Sequence, residues 1–524
     1  MKGTNRWMIG LLVISGLMSC SNKDESKNEP QIEEVRNKSI VILYENDVHG
    51  AIEYYPVLAG LRDAIVKADT SWTAVVSSGD YLSGDASCTL EKGKYIVQMM
   101  SSVGYDAVTI GNHEFDWGGK RLMELLPDIK TSVVCTNFYD CATGKQMLPS
   151  YTIKTYGDKK VAFVGVVTPD SEINEAYSFY DSEGNKLYDL KAENVSQLVQ
   201  KAVDDARGEG ADYVVLLSHL GELETKSYVT SISVVKETNG IDVVLDGHTH
   251  NVIPYFEVEN KDGKKVKITQ TGTKFSHIGK LLIKDGQIHT ELVYVPSCQY
   301  KSEKVSATLD EVNNNIKGIT GEVLGTTAFD LTIEDAAGNR LCRSGETNLG
   351  DYITDVMLES VGGDISLING GALRKTIKAG TITFGDVMDA FPFLNYMYRI
   401  RATGKDLLNM LNESTKTLPQ EDGSFPHVAH MKYTVHRGSH TVSDVLIYNN
   451  ETKAYEALDP EKQYIVATID YYKGGGFYDT LKDCEVVEQT TKLLMYELGE
   501  YIKKHQLIGE EYKNSQGRIT ILDD

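Results

Sequence analysis

The sequence predicts an α/β protein built from two domains. From residue 39 to about 295, apolar runs rich in Val and Ile alternate with helical stretches, which implies strands in a sheet covered on both faces. From about residue 321 the pattern becomes a mixed succession of strands and helices that continues to the end of the chain. The 524 residues are enough for both units to bury a core. Hydrophobic residues make up 41% and charged residues 24%, which excludes intrinsic disorder for the bulk of the chain. The formal charge of −22 repels nucleic-acid phosphates, so no nucleic-acid polymer is expected as a partner. Any anionic small molecule then needs local cations, either metals or arginines.

Taken in order, residues 1–20 read as a leader outside the fold. Lys2 and Arg6 form a positive start, and Trp7 to Leu17 is apolar but too short to span a bilayer. Leu17-Met18-Ser19-Cys20 resembles a bacterial lipobox, which implies an acylated Cys20, a lipid-bilayer partner and an exported protein on the periplasmic or cell-surface side. Residues 21–38 are rich in Ser, Asn, Lys and Glu and read as a flexible tether. Apart from Cys20 there are Cys88, Cys135, Cys141, Cys298, Cys342 and Cys484, with no C-x-x-C pair, which argues against a thiolate zinc site.

Strands are expected at Ile40–Tyr44, Ala74–Val76, Ala107–Ile110, Val161–Val167, Tyr213–Leu217 and Val243–Leu245. Lys264–Gln270 and Gly279–Ile283 read as antiparallel strands near the end of this domain, 39–295. Residues 296–320 are polar and read as a linker, with a helix expected around Asp310–Lys317. In the second domain, 321–524, helices are expected at Thr347–Ser360 and Lys405–Ser414. Thr381–Ala390 reads as a strand followed by a helix start, and strands are expected at Tyr396–Ala402, Tyr433–His436, Val445–Tyr448 and Tyr464–Thr468.

Five strands of the first domain are followed by Asp, Asn or His. Asp47 and His49 follow the first, Asp80 the second, Asn112 and His113 the third, His219 the fourth, and His248 and His250 the fifth. In open α/β sheets the carboxyl edge is where ligands bind. A lone Asp there is usually a turn former or helix cap, but five such sites in register, with several histidines, are not explained by capping. Imidazole, carboxylate and one amide oxygen suit Zn, Mn, Fe or Co better than Ca or Mg. With His113 set apart, the seven remaining side chains are too many for one tetrahedral ion and suit two ions sharing a carboxylate.

The succession D-x-H, G-D, G-N-H-E, H and G-H-x-H resembles the calcineurin-like metallophosphoesterase superfamily. With G-N-H-E-F-D and the second domain, the chain resembles the 5'-nucleotidase family over about residues 39–510. That resemblance implies an N-terminal metallophosphoesterase αββα sandwich followed by a mixed α/β substrate-binding domain. It implies that Asp47, His49 and His250 ligate one divalent ion and Asn112, His219 and His248 the other, with Asp80 bridging. His113 then resembles the catalytic histidine and Asp116 its orienting partner.

The resemblance extends to the substrate side. Cys342-Arg343-Ser344-Gly345-Glu346-Thr347-Asn348-Leu349-Gly350 and Asn369-Gly370-Gly371-Ala372-Leu373-Arg374 match family segments and imply that Arg343, Asn369 and Arg374 contact substrate. Phe393 and Tyr471 resemble the two walls of a base-stacking clamp. The family's ribose-contacting acid is replaced in Gly474-Gly475-Gly476-Phe477, and the glycine expected after Phe393 is replaced by Leu394. The implied activity is dimetal-dependent release of phosphate from nucleoside 5'-monophosphates. 2',3'-cyclic nucleotide phosphodiesterase or UDP-sugar hydrolase activity is the alternative, and a non-catalytic solute-binding lipoprotein is a remote one. His427, His430, His436 and His440 lack ligand spacing and are expected to be structural or solvent-facing.

Overall fold

The computed structural model describes residues 38–84, 86–181, 183–223, 229–472 and 479–524. The leader with Cys20, the tether up to residue 37 and the Gly474–Phe477 stretch lie outside the described residues.

The N-terminal part contains two six-stranded sheets. One runs in the order Gln287–Tyr294, His277–Lys284, Ser39–Glu45, Ser71–Ser77, Ala107–Val108, Ser132–Val133. The other runs Val252–Glu259, Lys265–Thr271, Val243–Leu245, Tyr213–His219, Lys159–Val167, Tyr151–Tyr156. Central neighbours are parallel, with Ile42 opposite Ala74 and Leu245 opposite Leu217, while antiparallel strands flank them. The pleat sorts the side chains. Ile40, Ile42, Tyr44, Phe163, Val215 and Leu217 form one cluster between the sheets. Val41, Leu43 and Val75 point the other way, into a cluster that includes residues of the helices Tyr55–Ala68 and Lys94–Val103. Ala162, Val164 and Leu216 similarly meet the helix Val195–Gly208. Both faces of the central strands are therefore buried, one by the other sheet and one by helices. Each fully buried Val, Leu or Ile contributes roughly 1.5–3 kcal/mol. The parallel order sends the carboxyl ends of the central strands to one edge.

The helix Glu303–Thr320 spans most of the polar junction. It buries Val305 and Val312 and packs on the helices Tyr55–Ala68 and Lys94–Val103 on one side and on Phe384–Ala390 on the other. Tyr496 adds a second tie, with its hydroxyl donating to the Leu90 carbonyl at 3.1 Å.

The C-terminal part is built on a five-stranded sheet in the order Pro426–Ala429, Ile365–Asn369, Gln463–Ile469, Tyr396–Thr403, Glu485–Leu493. A four-stranded sheet lies beside it, in the order Ala454–Ala457, Thr441–Asn449, Met431–His436, Ile519–Leu522. Thr347 caps the helix Asn348–Val361 by accepting from the Gly350 N–H, and Thr403 with Asp406 forms a capping box on Gly404–Thr415. Ile365–Asn369 and Gln463–Ile469 are parallel, and Tyr396–Thr403 runs antiparallel to the second. The ends of the first two and the start of the third thus share one edge, which bears Asn369, Tyr471 and Asn395.

Candidate active site

The strand tips of both N-terminal sheets meet at one point. Asp47, His49, Asp80 and His250 each bring a ligand-type atom within 4.8 Å of the others. The two imidazole nitrogens His49 Nε2 and His250 Nε2 face each other at 3.0 Å, and Asp47 Oδ1 lies 3.2 Å from His250 Nε2. Asp80 Oδ2 is 3.8 Å from His49 Nε2 and 3.1 Å from His219 Nε2, so this carboxylate stands between two groups of donors. On the far side, His248 Nδ1 lies 2.9 Å from Asn112 Oδ1, and the His219 and His248 ring centroids are 5.4 Å apart.

The supporting hydrogen bonds leave lone pairs pointing inward. His219 Nδ1 donates to the Ser78 carbonyl at 2.7 Å, which turns Nε2, the position that takes up either a proton or an ion, toward Asp80. His49 Nδ1 bonds the Ser83 carbonyl at 3.3 Å, freeing its Nε2 in the same way. Asn46 Nδ2 donates to Asp47 Oδ2 at 2.6 Å and so leaves Oδ1 for the cluster. Burial alone would push the His219 imidazole down, but Asp80 and then Asp47 take it up to about 10. The carboxylates thus call for positive charge at the point where the lone pairs converge. This donor set fits two divalent ions: Asp47, His49 and His250 could hold one, Asn112, His219 and His248 the other, and Asp80 both.

The local backbone is built for this convergence. Asp47, His49, Asp80, His248 and His250 all have left-handed φ, between 45° and 80°. Hydrogen bonds hold the turns: the Asp47 N–H donates to the Gly79 carbonyl and the His49 N–H to the Asp80 carbonyl, both at 3.0 Å. Gly111 must be glycine, because a Cβ there would come within 2.2 Å of Asp80 Oδ1 and 2.7 Å of the His219 ring.

His113 sits at the rim. Its backbone N–H donates to Asp80 Oδ1 at 2.9 Å, and Nδ1 lies 3.0 Å from Asp116 Oδ2. Burial would lower its pKa, but Asp80 and Asp116 raise it to about 11, so the ring is held as a cation. Its centroid is 5.2 Å from that of His49, edge on. A cation so placed can stabilise negative charge that develops beside it and can give up a proton.

In the C-terminal part, Arg343, Asn369, Arg374, Phe393 and Tyr471, all expected at the substrate, line one cavity of about 290 Å³. Arg343 makes no ion pair among the described residues, and its buried Nε has no hydrogen-bond partner there. Burial and the nearby guanidiniums of Arg340 and Arg374 lower its pKa. The Asn369 amide donates to the Gly423 carbonyl at 3.0 Å while its buried Oδ1 has no partner among the described residues. Phe393 and Tyr471 are 45% and 42% exposed, so both rings are offered to a ligand rather than to the core. The Arg374 guanidinium carbon lies 5.5 Å from the Phe393 ring centroid. The cavity adjoins the His113 loop: the Tyr396 ring, next to the lining residue Asn395, lies 5.6 Å from Tyr177, whose hydroxyl donates to the Asp116 carbonyl at 2.9 Å.

Residues 40–252 match the calcineurin-like phosphoesterase family, and residues 323–483 match the 5'-nucleotidase, C-terminal domain. The chain joins a calcineurin-like phosphoesterase domain to a 5'-nucleotidase C-terminal domain. Among its relatives, the trifunctional nucleotide phosphoesterase protein YfkN of Bacillus subtilis is 27% identical over 493 residues, covering 83% of this chain and 32% of that protein. Protein UshA of Escherichia coli is 24% identical over 497 residues, covering 85% and 87%. The chain spans about a third of the length of the first curated relatives it matches. In fold it resembles the 5'-nucleotidase precursor from Thermus thermophilus, with a TM-score of 0.56 at 23% identity, covering 93% of this chain and 100% of that one.

Other residues support the site without having been singled out in the sequence. The buried Glu114 carboxylate accepts four backbone N–H bonds, from Asp80, Tyr81, Leu82 and Gly111. It sits inside G-N-H-E, so adjacency to His113 was an available signal. His427, expected to be structural or solvent-facing, is fully buried, and its Nε2 lies 2.9 Å from the Cys342 carbonyl, which braces the segment carrying Arg343. His436 instead bonds Asp524 and Ser443. The six described cysteines form no disulfide with one another.

Proposed function

We propose that the chain is a dimetal-dependent phosphoester hydrolase that releases phosphate from nucleoside 5'-monophosphates. Residues 39–295 form its metallophosphoesterase domain, 296–320 the linker and 321–524 the substrate domain. The observation that carries the reading is the convergence of Asp47, His49, Asp80 and His250 on one point. When bound, the ions would lower the pKa of water and neutralise phosphoryl charge. His113, oriented by Asp116, stabilises the charge that develops and assists the leaving oxygen. Arg343 and Arg374 supply the positive charge that an acidic protein needs to hold an anion. Phe393 and Tyr471 take a base between them, and Asn369 offers an acceptor to it.

The substrate is argued from the cavity and from the names of the relatives, YfkN being named as a trifunctional nucleotide phosphoesterase. In this reading the protein is exported and anchored to a bacterial membrane through acylated Cys20. No helix among the described residues is long and apolar enough to cross a membrane.

The test is phosphate release from AMP, GMP, UMP, 2',3'-cyclic nucleotides and UDP-glucose, before and after chelation and with Mn, Co or Zn added back. Monophosphate hydrolysis should vanish on chelation and return with metal. His113→Ala should lower kcat by about 10²- to 10⁴-fold with metal content unchanged. AMP hydrolysis at the parent rate in that variant would refute the catalytic assignment.

A further inference from the structure

Glu175 lies between the short helices Ser171–Asn174 and Ala176–Phe179, far in sequence from every strand tip. It is only 4% exposed. Its Oε1 accepts from Asn112 Nδ2 at 3.2 Å, and Asn112 Oδ1, the other end of the same amide, lies 2.9 Å from His248 Nδ1. The two ends of a carboxamide have nearly the same shape and opposite chemistry. Turned over, Asn112 would aim two N–H donors at the point where an ion needs oxygen. Glu175 Oε1 faces the amide as an acceptor, so it favours the orientation with the amide nitrogen outward and the oxygen inward.

We propose that Glu175 is a positioning residue that fixes the orientation of Asn112 and thereby the affinity of the ion that Asn112, His219 and His248 would hold. The proposal rests on the two-ion reading of the site. A rival use of the same atoms is a third cation among His113, Asp116 and Glu175, which lie within 4.8 Å of one another. Against it, His113 Nδ1 is already committed to Asp116, 3.2 and 3.0 Å from its two oxygens. The Asn112 bond, in contrast, gives Glu175 a defined partner.

The test is a Co²⁺ titration of the metal-free full-length protein, followed by visible absorption and calorimetry, with thermal melting to check the fold. The parent should take up two equivalents. Glu175→Leu should weaken one of them by about 10- to 100-fold and leave the other unchanged. Glu175→Gln, whose amide oxygen can still accept from Asn112, should bind like the parent. In an Asn112→Asp background the order reverses: Glu175→Gln should bind more tightly than Glu175, because it removes a facing carboxylate and can donate to either aspartate oxygen. That comparison decides the matter even if the leucine variant does not fold. Parent-like affinity in Glu175→Leu, equal losses in the Leu and Gln variants, or no reversal in the Asp background would overturn the proposal while the two-ion reading stands. A third equivalent that disappears in Glu175→Gln overturns it in favour of the third cation. A parent that takes up fewer than two equivalents overturns the ion reading itself, and this proposal with it.

Discussion

The support given by Glu114 can be tested by changing one atom. Its two carboxylate oxygens accept the N–H groups of Asp80, Tyr81, Leu82 and Gly111, which ties the loop bearing the shared aspartate to the loop bearing Asn112 and His113. Glu114→Gln keeps the shape but replaces one acceptor oxygen with an NH₂ group. Two of the four N–H donors then lose their acceptor in a buried setting, at about 1–3 kcal/mol each. The sum is about 2–6 kcal/mol of local stability, or at least a 30-fold loss of amide protection. Hydrogen–deuterium exchange of peptides covering residues 80–82 and 111 reads this directly, with the strand Tyr213–His219 as an internal control. The loops should exchange at least 30-fold faster while the control stays unchanged, and kcat for AMP should fall with it. Asp80 and Gly111 share one carboxylate oxygen and Tyr81 and Leu82 the other, so parent-like protection of both pairs in a folded Glu114→Gln protein would refute the reasoning.

Two further outcomes follow from groups in the C-terminal part. Arg343→Met should cut kcat/KM for AMP by about 10- to 100-fold, the equivalent of one charge-assisted hydrogen bond, without lowering the melting temperature, since this guanidinium forms no ion pair among the described residues; a loss of stability with unchanged kinetics would contradict this. His427 is held down to about 4, chiefly by burial, against an ordinary 6.5. Between those values the unfolded chain binds the extra proton, so stability is full above pH 6.5 and falls by about 3 kcal/mol as the pH drops to 4. His427→Gln should flatten that part of the melting-temperature profile relative to the parent, and parallel profiles would rule the histidine out as the cause.

What could be read from the sequence is what local pattern encodes. Each strand tip is a short apolar run followed at once by its polar residues, so Asp47, Asp80, Asn112, His219 and His248 are visible one at a time, and register alone suggests that they meet. Glu175 is invisible in this way: its partner Asn112 is 63 positions away, and nothing in Ser171–Phe179 has a period or spacing that marks it. The stacking of two sheets is hidden for a different reason. A central parallel strand reads as a continuous apolar run whether its second face meets helices or another sheet, so residues such as Ile42 and Val215 carry no label for which. The outer strands Val252–Glu259 and Gln287–Tyr294 are harder to read, because Pro254 interrupts the first, polar residues divide the second, and Val258 is the one buried residue they share between them.

The strain in the site and its charge point to the same conclusion. Five of the seven candidate donors hold a left-handed backbone, which costs non-glycine residues roughly 1–2 kcal/mol each. Two carboxylates, Asp47 and Asp80, are buried beside them with Glu45 and Glu114 close behind. A fold selected for stability alone would relieve either cost with glycines in the turns or amides in place of the acids. Here both costs are kept at the edge where the central parallel strands of two sheets deliver their ends. Each is opposed by interactions that serve no purpose except to hold these side chains still: the Asn46 bond to Asp47, the Ser78 carbonyl on His219, and the four N–H groups on Glu114. Preorganisation of this kind is rewarded when a ligand of high positive charge arrives, because the donors need not move to meet it.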